Sequence, residues 1–318
     1  MNPEPSIFNL SAPLYIGWQL TNECTATCLH CIEESGPGKA FKDELSKEEV
    51  LRIAGEFASN NVPYISFSGG EPLSVPYIFE LCEMLAKHQI SVKLESNGQL
   101  MTRETAKTLA SAGVKAVQVS LDGSTAKTYE KLRVGSKFNK TIEALRHLKE
   151  AGVSVEINFV PTSFNISEIA STIDLAKSLG AYSFYTGPIM RCGNASKIWD
   201  TISPDAAQYK EFFKALDERA KCYKGNMRVY FHKLGIVEEL KFRLEHPAAI
   251  MIVLANGKVK IINSLPFVCG DLRTQSVLEA WENYKKAWKD GRVAKYIKDL
   301  EKDDKMLAKL HDLVELYP

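Results

Sequence analysis

The chain has 318 residues, 45% of them hydrophobic and 25% charged, and a formal net charge of +1. That length supports one large domain, or a large domain with an appendage. Near-neutral charge excludes a chain drawn as a whole to nucleic acid or to an anionic membrane, and no apolar run approaches the length of a membrane span. Residues 1–9 carry no basic region followed by an apolar core, so no secretory signal is expected. Of the seven cysteines, the first three are crowded as ligands rather than spread as bridges, which points to a reducing cytoplasm.

Strand-like and helix-like segments alternate along the first half. Residues 15–20 read as a strand that delivers a cysteine-bearing loop. Ser46, with Glu49 three residues on, has the pattern of a capping box and opens a helix to about Ser59. A β-rich run at 64–68 leads to a helix at 77–88. The next strand spans 91–95, and Thr102 with Thr105 opens a helix to Ala112. Then follow a strand at 116–121, helices at 126–132 and 139–151, a strand at 154–160, a helix at 166–179 and a sixth strand at 182–185. Gly113, Gly152 and Gly180 each follow an apolar-periodic run, where a left-handed residue closes a helix. Such alternation predicts a parallel sheet with right-handed crossovers, whose ligands gather at the C-terminal ends of the strands.

After Gly187 the rhythm breaks. Residues 187–204 are loop-like, and a helix spans about 206–223. Residues 251–254 and 259–262 flank Asn256-Gly257, which predicts a hairpin closed by a tight two-residue turn. The tail from Glu279 reads as a solvated amphipathic helix.

In the loop after the first strand, Cys24, Cys28 and Cys31 are spaced C-x3-C-x2-C. Three thiolates this close can hold three corners of a cubane iron–sulfur cluster, one ligand short of a full set. An open metal position is where a substrate or cofactor binds. The competing reading is zinc, since C-x2-C pairs are frequent zinc knuckles. It needs a fourth ligand, yet no Cys or His lies between Cys31 and Cys82, and His30 is badly placed to chelate beside Cys31.

Other polar motifs fall at strand ends. Ser68-Gly69-Gly70-Glu71-Pro72 follows the second strand, and paired glycines let backbone approach a ligand closely. Glu95-Ser96-Asn97-Gly98 ends the third strand and Ser120-Leu121-Asp122-Gly123 the fourth. Hydroxyls and carboxylates there offer hydrogen-bond acceptors. Each motif taken singly is also ordinary turn chemistry, and Arg133 is also readable as a surface helix charge. Cys82 shares an apolar helical register with Ile78 and Leu85 and is expected in the core.

As an ordered set, these motifs resemble the radical S-adenosylmethionine (SAM) enzymes. The resemblance covers residues 14–188 and implies an α/β fold, a partial (β/α)6 barrel. Residues 1–13 would be an N-terminal segment and residues 189–318 a small α+β capping extension. In those enzymes the open iron of a [4Fe–4S] cluster binds the amino and carboxylate groups of SAM. One electron cleaves SAM to methionine and a 5′-deoxyadenosyl radical, which abstracts hydrogen from an unactivated C–H bond. The resemblance assigns Cys24, Cys28 and Cys31 to the cluster. It places Gly69, Gly70 and Glu71 at the amino group of SAM, through Glu71 or the adjacent carbonyls. Ser96 and Asn97 match a Thr-Asn-Gly turn, Ser120 and Asp122 line the ribose and substrate pocket, Arg133 pairs with the SAM carboxylate, and Asn158 contacts adenosine or ribose. Gly70 lies on a different loop from the cysteines, so a bulky residue there is expected to weaken SAM binding and leave the cluster intact.

The C-terminal part resembles the SPASM or twitch extension, through Gly257-Lys258, residues 269–272 and residues 276–281. That extension normally carries cysteines for auxiliary clusters. Here only Cys269 lies after residue 222, so a degenerate extension without an auxiliary cluster is expected. Cys192 and Cys269 are expected near the barrel opening, either as hydrogen donors to a substrate radical or as inert thiols. The implied substrate is a biosynthetic small molecule or short peptide, and the implied electron donor a flavodoxin or ferredoxin. Neither nucleic acid nor membrane is an expected partner. Two other functional classes stay open: an iron–sulfur maturation or scaffold protein without SAM turnover, and a zinc-stabilised binding protein.

Overall fold

The structure, a computed structural model, describes residues 6–317; residues 1–5 of the expected N-terminal segment lie outside the described residues. Thirteen strands appear in it: β1 (Tyr15–Thr21), β2 (Thr27–Cys28), β3 (Tyr64–Gly69), β4 (Ser91–Ser96), β5 (Ala116–Ser120), β6 (Arg133–Val134), β7 (Ser154–Phe159), β8 (Ser183–Thr186), β9 (Arg228–Phe231), β10 (Ile250–Val253), β11 (Lys258–Lys260), β12 (Phe267–Asp271) and β13 (Val314–Glu315). The six strands read from sequence, β1, β3, β4, β5, β7 and β8, lie side by side and parallel. Helices Lys47–Ser59, Ile78–Lys87, Arg103–Ser111, Phe138–Glu150 and Ile169–Ser178 fall in the crossovers. This is the partial (β/α)6 barrel of an α/β protein.

Local chemistry starts and stops these elements as expected. The Ser46 hydroxyl accepts from the Glu49 N–H at 3.2 Å, and the Glu49 carboxylate accepts from the Ser46 N–H at 2.7 Å. Gly113, Gly152 and Gly180 have φ of +85°, +75° and +93°. Apolar residues alternate on each strand toward the helices. Trp18 of β1 meets Phe57 edge-on at 5.4 Å.

Beyond residue 188 the structure departs from the sequence reading. β9 adds a further parallel strand beside β8, and β10 pairs in parallel with β1, so one sheet runs β13-β12-β11-β10-β1-β3-β4-β5-β7-β8-β9. The hairpin of β10 and β11 forms, but its turn is a four-residue loop. The Leu254 carbonyl accepts from the Gly257 N–H at 2.9 Å, and within the loop only Gly257 takes a positive φ, +86°. The C-terminal helices are docked rather than solvated. Helix Val277–Ala287 buries Trp281 and Tyr284, stacked at 5.0 Å, and the Trp281 indole N–H donates to the Leu10 carbonyl at 3.0 Å. Amphipathic periodicity does not say whether a helix's apolar face has a partner, and here the sheet supplies one. No helix among the described residues is long and apolar enough to cross a membrane.

Candidate functional site

β1 ends at the cysteine loop, and the Gly-Gly segment after β3 packs directly under that loop. The β1–β3 register shifts between Gln19 and Thr21, a bulge that brings Thr21 opposite Gly69. Gly70 N–H donates to the Thr21 carbonyl at 2.7 Å, and Glu71 N–H to the Glu23 carbonyl at 2.9 Å. A Cβ on Gly69, at φ +118°, would stand 2.3 Å from the Thr21 carbonyl oxygen. One on Gly70 would stand 2.0 Å from that of Glu23. The two loops, far apart in sequence, therefore touch, and this corrects the expectation that Gly70 can be altered without reaching the cysteines.

A two-stranded ladder of β2 with β6 holds the other flank. It sets Cys28 opposite Arg133, and Leu29 N–H donates to the Leu132 carbonyl at 2.9 Å. Cys24 and Cys28 are buried, and Cys31 is half-buried. The Asn97 amide lies 3.6 Å from the Cys24 sulfur and the Arg133 guanidinium 3.7 Å from that of Cys28. Burial pushes all three thiols up, Cys28 to about 12. Metal ligation would have to displace those protons. Among the described residues, no group of three or more His, Cys, Asp or Glu converges as a single metal ion requires. A cubane places each thiolate on a different iron and makes no such demand.

All three cysteines face a cavity of about 810 Å³, a size typical of small-molecule sites. Gly69, Gly70, Ser96, Asn97, Ser120, Arg133, Asn158 and Cys192 line it too. Glu71 and Asp122 stand behind its wall. The Glu71 carboxylate accepts from the Ser96 hydroxyl at 2.9 Å, the Asn97 N–H at 2.9 Å and the Leu73 N–H at 3.2 Å. Burial pushes its carboxyl up to about 7 against those donors. Asp122 accepts from Arg133 Nε at 2.6 Å and Val160 N–H at 2.7 Å, and His30 Nε2 lies 3.1 Å from it. Burial alone would raise Asp122; the Arg133 cation and the His30 contact outweigh it and hold the carboxyl well below the usual range. Both carboxylates thus shape the groups that face the cavity.

Glu71→Ala strands three inward-facing donors. It is expected to lower unfolding stability by about 3 kcal/mol in urea titration, with Glu71→Gln losing less than half of that. An alanine variant as stable as the parent would show that this network holds nothing.

Cys269 does not face the cavity. Its thiol is buried in β12 and donates to the Val259 carbonyl at 3.4 Å. Cys222 is exposed and Cys82 buried, the latter as expected. The sequence reading missed several cavity residues, including Glu95, Gln118, Tyr185, Tyr230 and His232. Strand alternation was the available signal: Glu95, Gln118 and Tyr185 occupy the strand face opposite the buried apolar residues. Tyr185 and Tyr230 stack at 4.9 Å and 13° across adjacent strands.

Two further features suit a bound polar ligand beside a cluster. The His30 side chain is only 5% exposed, and its Nδ1 has no protein partner although the residue lines the cavity. The donors on two of the three sulfurs suit thiolates rather than thiols. The alternative zinc ligand, His30, is instead turned to Asp122.

Residues 18–176 match the radical SAM superfamily. The chain is similar to an AdoMet-dependent heme synthase of Methanosarcina barkeri, 30% identical over 86% of this chain and 83% of the relative. It is also similar to the mycofactocin maturase MftC of Mycobacterium tuberculosis, 33% identical over 64% of this chain. The chain spans only about half, 52%, of that maturase. In fold it is similar to Streptococcus suis SuiB bound to S-adenosylmethionine, with a TM-score of 0.71 and 18% identity over 92% of this chain and 69% of SuiB. The structure of anSMEcpe with bound AdoMet gives a TM-score of 0.64 and 19% identity, over 87% of this chain and 82% of the other.

Proposed function

The chain belongs to the radical SAM superfamily, and from that premise we propose that Cys24, Cys28 and Cys31 hold one [4Fe–4S] cluster and that SAM binds in the adjoining cavity. The observation that carries this reading is the meeting of three cysteines with the Gly69-Gly70 backbone, Ser96-Asn97, Arg133 and Asn158 around one cavity. When bound, the pair supplies one-electron cleavage of SAM to a 5′-deoxyadenosyl radical and hydrogen abstraction from a C–H bond. The backbone at Gly69 and Gly70 offers acceptors to the SAM ammonium, a role closed to Glu71 because its carboxylate is engaged with Ser96 and Asn97. Arg133, fixed through Nε by Asp122 and with Nη1 3.7 Å from the Cys28 sulfur, keeps further N–H groups for the SAM carboxylate. Ser120 and Asn158, paired across β5 and β7, serve the ribose.

The substrate is a small molecule or short peptide, received against Met190, Tyr185, Tyr230 and Phe231. A one-electron donor protein such as a flavodoxin or ferredoxin supplies the electron. The fate of the substrate radical is one of epimerisation, dehydrogenation, decarboxylation, elimination or coupling. Of the two thiols considered as hydrogen donors, Cys192 retains that candidacy and Cys269 does not, because only Cys192 reaches the cavity.

Anaerobic reconstitution followed by dithionite and SAM tests the reading, with 5′-deoxyadenosine as the readout. A loaded cluster without that product would favour a scaffold, and zinc in place of iron would favour the zinc protein. The parent is expected to hold about four irons per chain. A Cys192/Cys222/Cys269 triple-alanine variant is expected to hold the same, since these cysteines lie at a cavity wall, on an exposed helix end and inside β12. About eight irons in the parent, halved in the variant, would show an auxiliary cluster.

A further inference from the structure

The cysteine loop is gripped a second time by a segment outside the residues matched to the family. After β8 the chain crosses back over the loop at residues 193–197. Gly193, at φ +51°, comes so close that a Cβ would stand 2.3 Å from the Cys31 carbonyl oxygen and 2.4 Å from that of Ile32. Asn194 follows. Its backbone N–H donates to the Cys31 carbonyl at 2.9 Å, and its side-chain Nδ2 donates to the Cys28 carbonyl at 3.0 Å. The amide orientation is fixed by chemistry: Lys197 Nζ lies 3.1 Å from Asn194 Oδ1, so the oxygen faces the cation and the NH2 faces Cys28. Lys197 is anchored in turn to Glu34. One residue thus spans the Cys28–Cys31 interval, bonding both carbonyls from a distant segment of the chain.

We infer that Asn194 is a positioning residue for the cluster: it holds Cys28 and Cys31 at the separation that two ligands of one cubane require. The β2–β6 ladder fixes the loop at Cys28 and Leu29. Toward Cys31 the loop carries no ladder partner; Cys31 N–H donates to the Cys28 carbonyl at 3.3 Å, His311 Nε2 lies 2.9 Å from the Ile32 carbonyl, and Asn194 adds the bonds that reach both cysteine carbonyls from a distant segment. Residues that orient ligands from behind commonly change metal affinity 10- to 100-fold when replaced. This inference rests on the cluster reading above.

The test uses the full chain and three variants: Asn194→Ala, Asn194→Asp and Lys197→Ala. Asn194→Asp is nearly isosteric and keeps the backbone N–H contact but loses the side-chain donor. Lys197→Ala leaves that donor in place. Two measurements are made: amide hydrogen exchange of residues 24–36 in the metal-free protein, and iron loss to a chelator from the reconstituted protein, with the electron paramagnetic resonance spectrum of the reduced cluster. Both Asn194 variants are expected to exchange faster across 28–32 and to release iron about ten-fold faster, with an altered spectrum and little change in Tm. Lys197→Ala should shift these several-fold less. Parent-like exchange in both Asn194 variants overturns the inference, and so does faster exchange with unchanged iron loss and spectrum. A parent that takes up no iron–sulfur cluster overturns the functional reading instead, while the metal-free exchange still decides whether Asn194 restrains the loop.

Discussion

A Cys28→Ala chain, reconstituted anaerobically beside the parent, shows no iron–sulfur chromophore and forms no 5′-deoxyadenosine. Three thiolates leave one iron of a cubane open; two leave the cluster without enough anchors to survive purification. The loss should exceed a hundred-fold in both readouts, and Cys24→Ala and Cys31→Ala should match it. The fold should persist, because the buried sulfurs of Cys24 and Cys28 pack chiefly with Ala26 and Cys31 rather than with the main core. Circular dichroism and Tm close to those of the parent would separate loss of the site from loss of the protein. A triple-alanine chain that still carries about four irons and cleaves SAM would refute the assignment.

Gly70→Val disables cluster and cofactor binding together. A Cβ at this position meets the Glu23 carbonyl oxygen at 2.0 Å, its carbon at 2.5 Å and the Asn22 oxygen at 2.9 Å. These are backbone atoms and cannot swing aside. Glu23 is pinned as well, since its carboxylate accepts from the Gly38 N–H at 3.0 Å. The strain must pass into the residue next to Cys24. SAM affinity is expected to fall more than ten-fold and iron content to below half, measured by equilibrium binding and iron analysis on the same preparation. Full iron with weakened SAM binding would restore the separate-loop expectation. Parent-like SAM binding would reduce the glycine pair to an ordinary turn.

Most of the barrel was legible because its signals are local. Period-2 apolar runs, capping residues and C′ glycines occur within a few positions of the elements they specify, and all six core strands followed from them. The cysteine spacing was legible for the same reason. That Glu71 and Asp122 stand behind the cavity wall was not legible, because a carboxylate at a strand end reads alike whether it faces a ligand or buttresses its neighbours. Only Ser96, Asn97, His30 and Arg133, brought in from elsewhere in the chain, decide between the two. Cys269 was misplaced because proximity in sequence to a motif says nothing about which side of a strand a thiol occupies. The parallel pairing of β10 with β1 joins segments from opposite ends of the chain, and no local pattern announces it.

That last pairing has a temporal meaning. Ile16 of β1 is bonded on one side to the β3 register at Ile65 and on the other to β10 at Met251. Synthesis at about 5–20 residues per second separates those two events by on the order of ten seconds or more. During that interval the strand leading into the three cysteines has one unpaired edge, a template for another chain. Asn194 also emerges long after the loop it holds. Yield in a host should therefore depend on how well β1 is shielded until β10 has been made, and the cysteine loop, made well before residues 193–197 and β10, is secured only once they arrive.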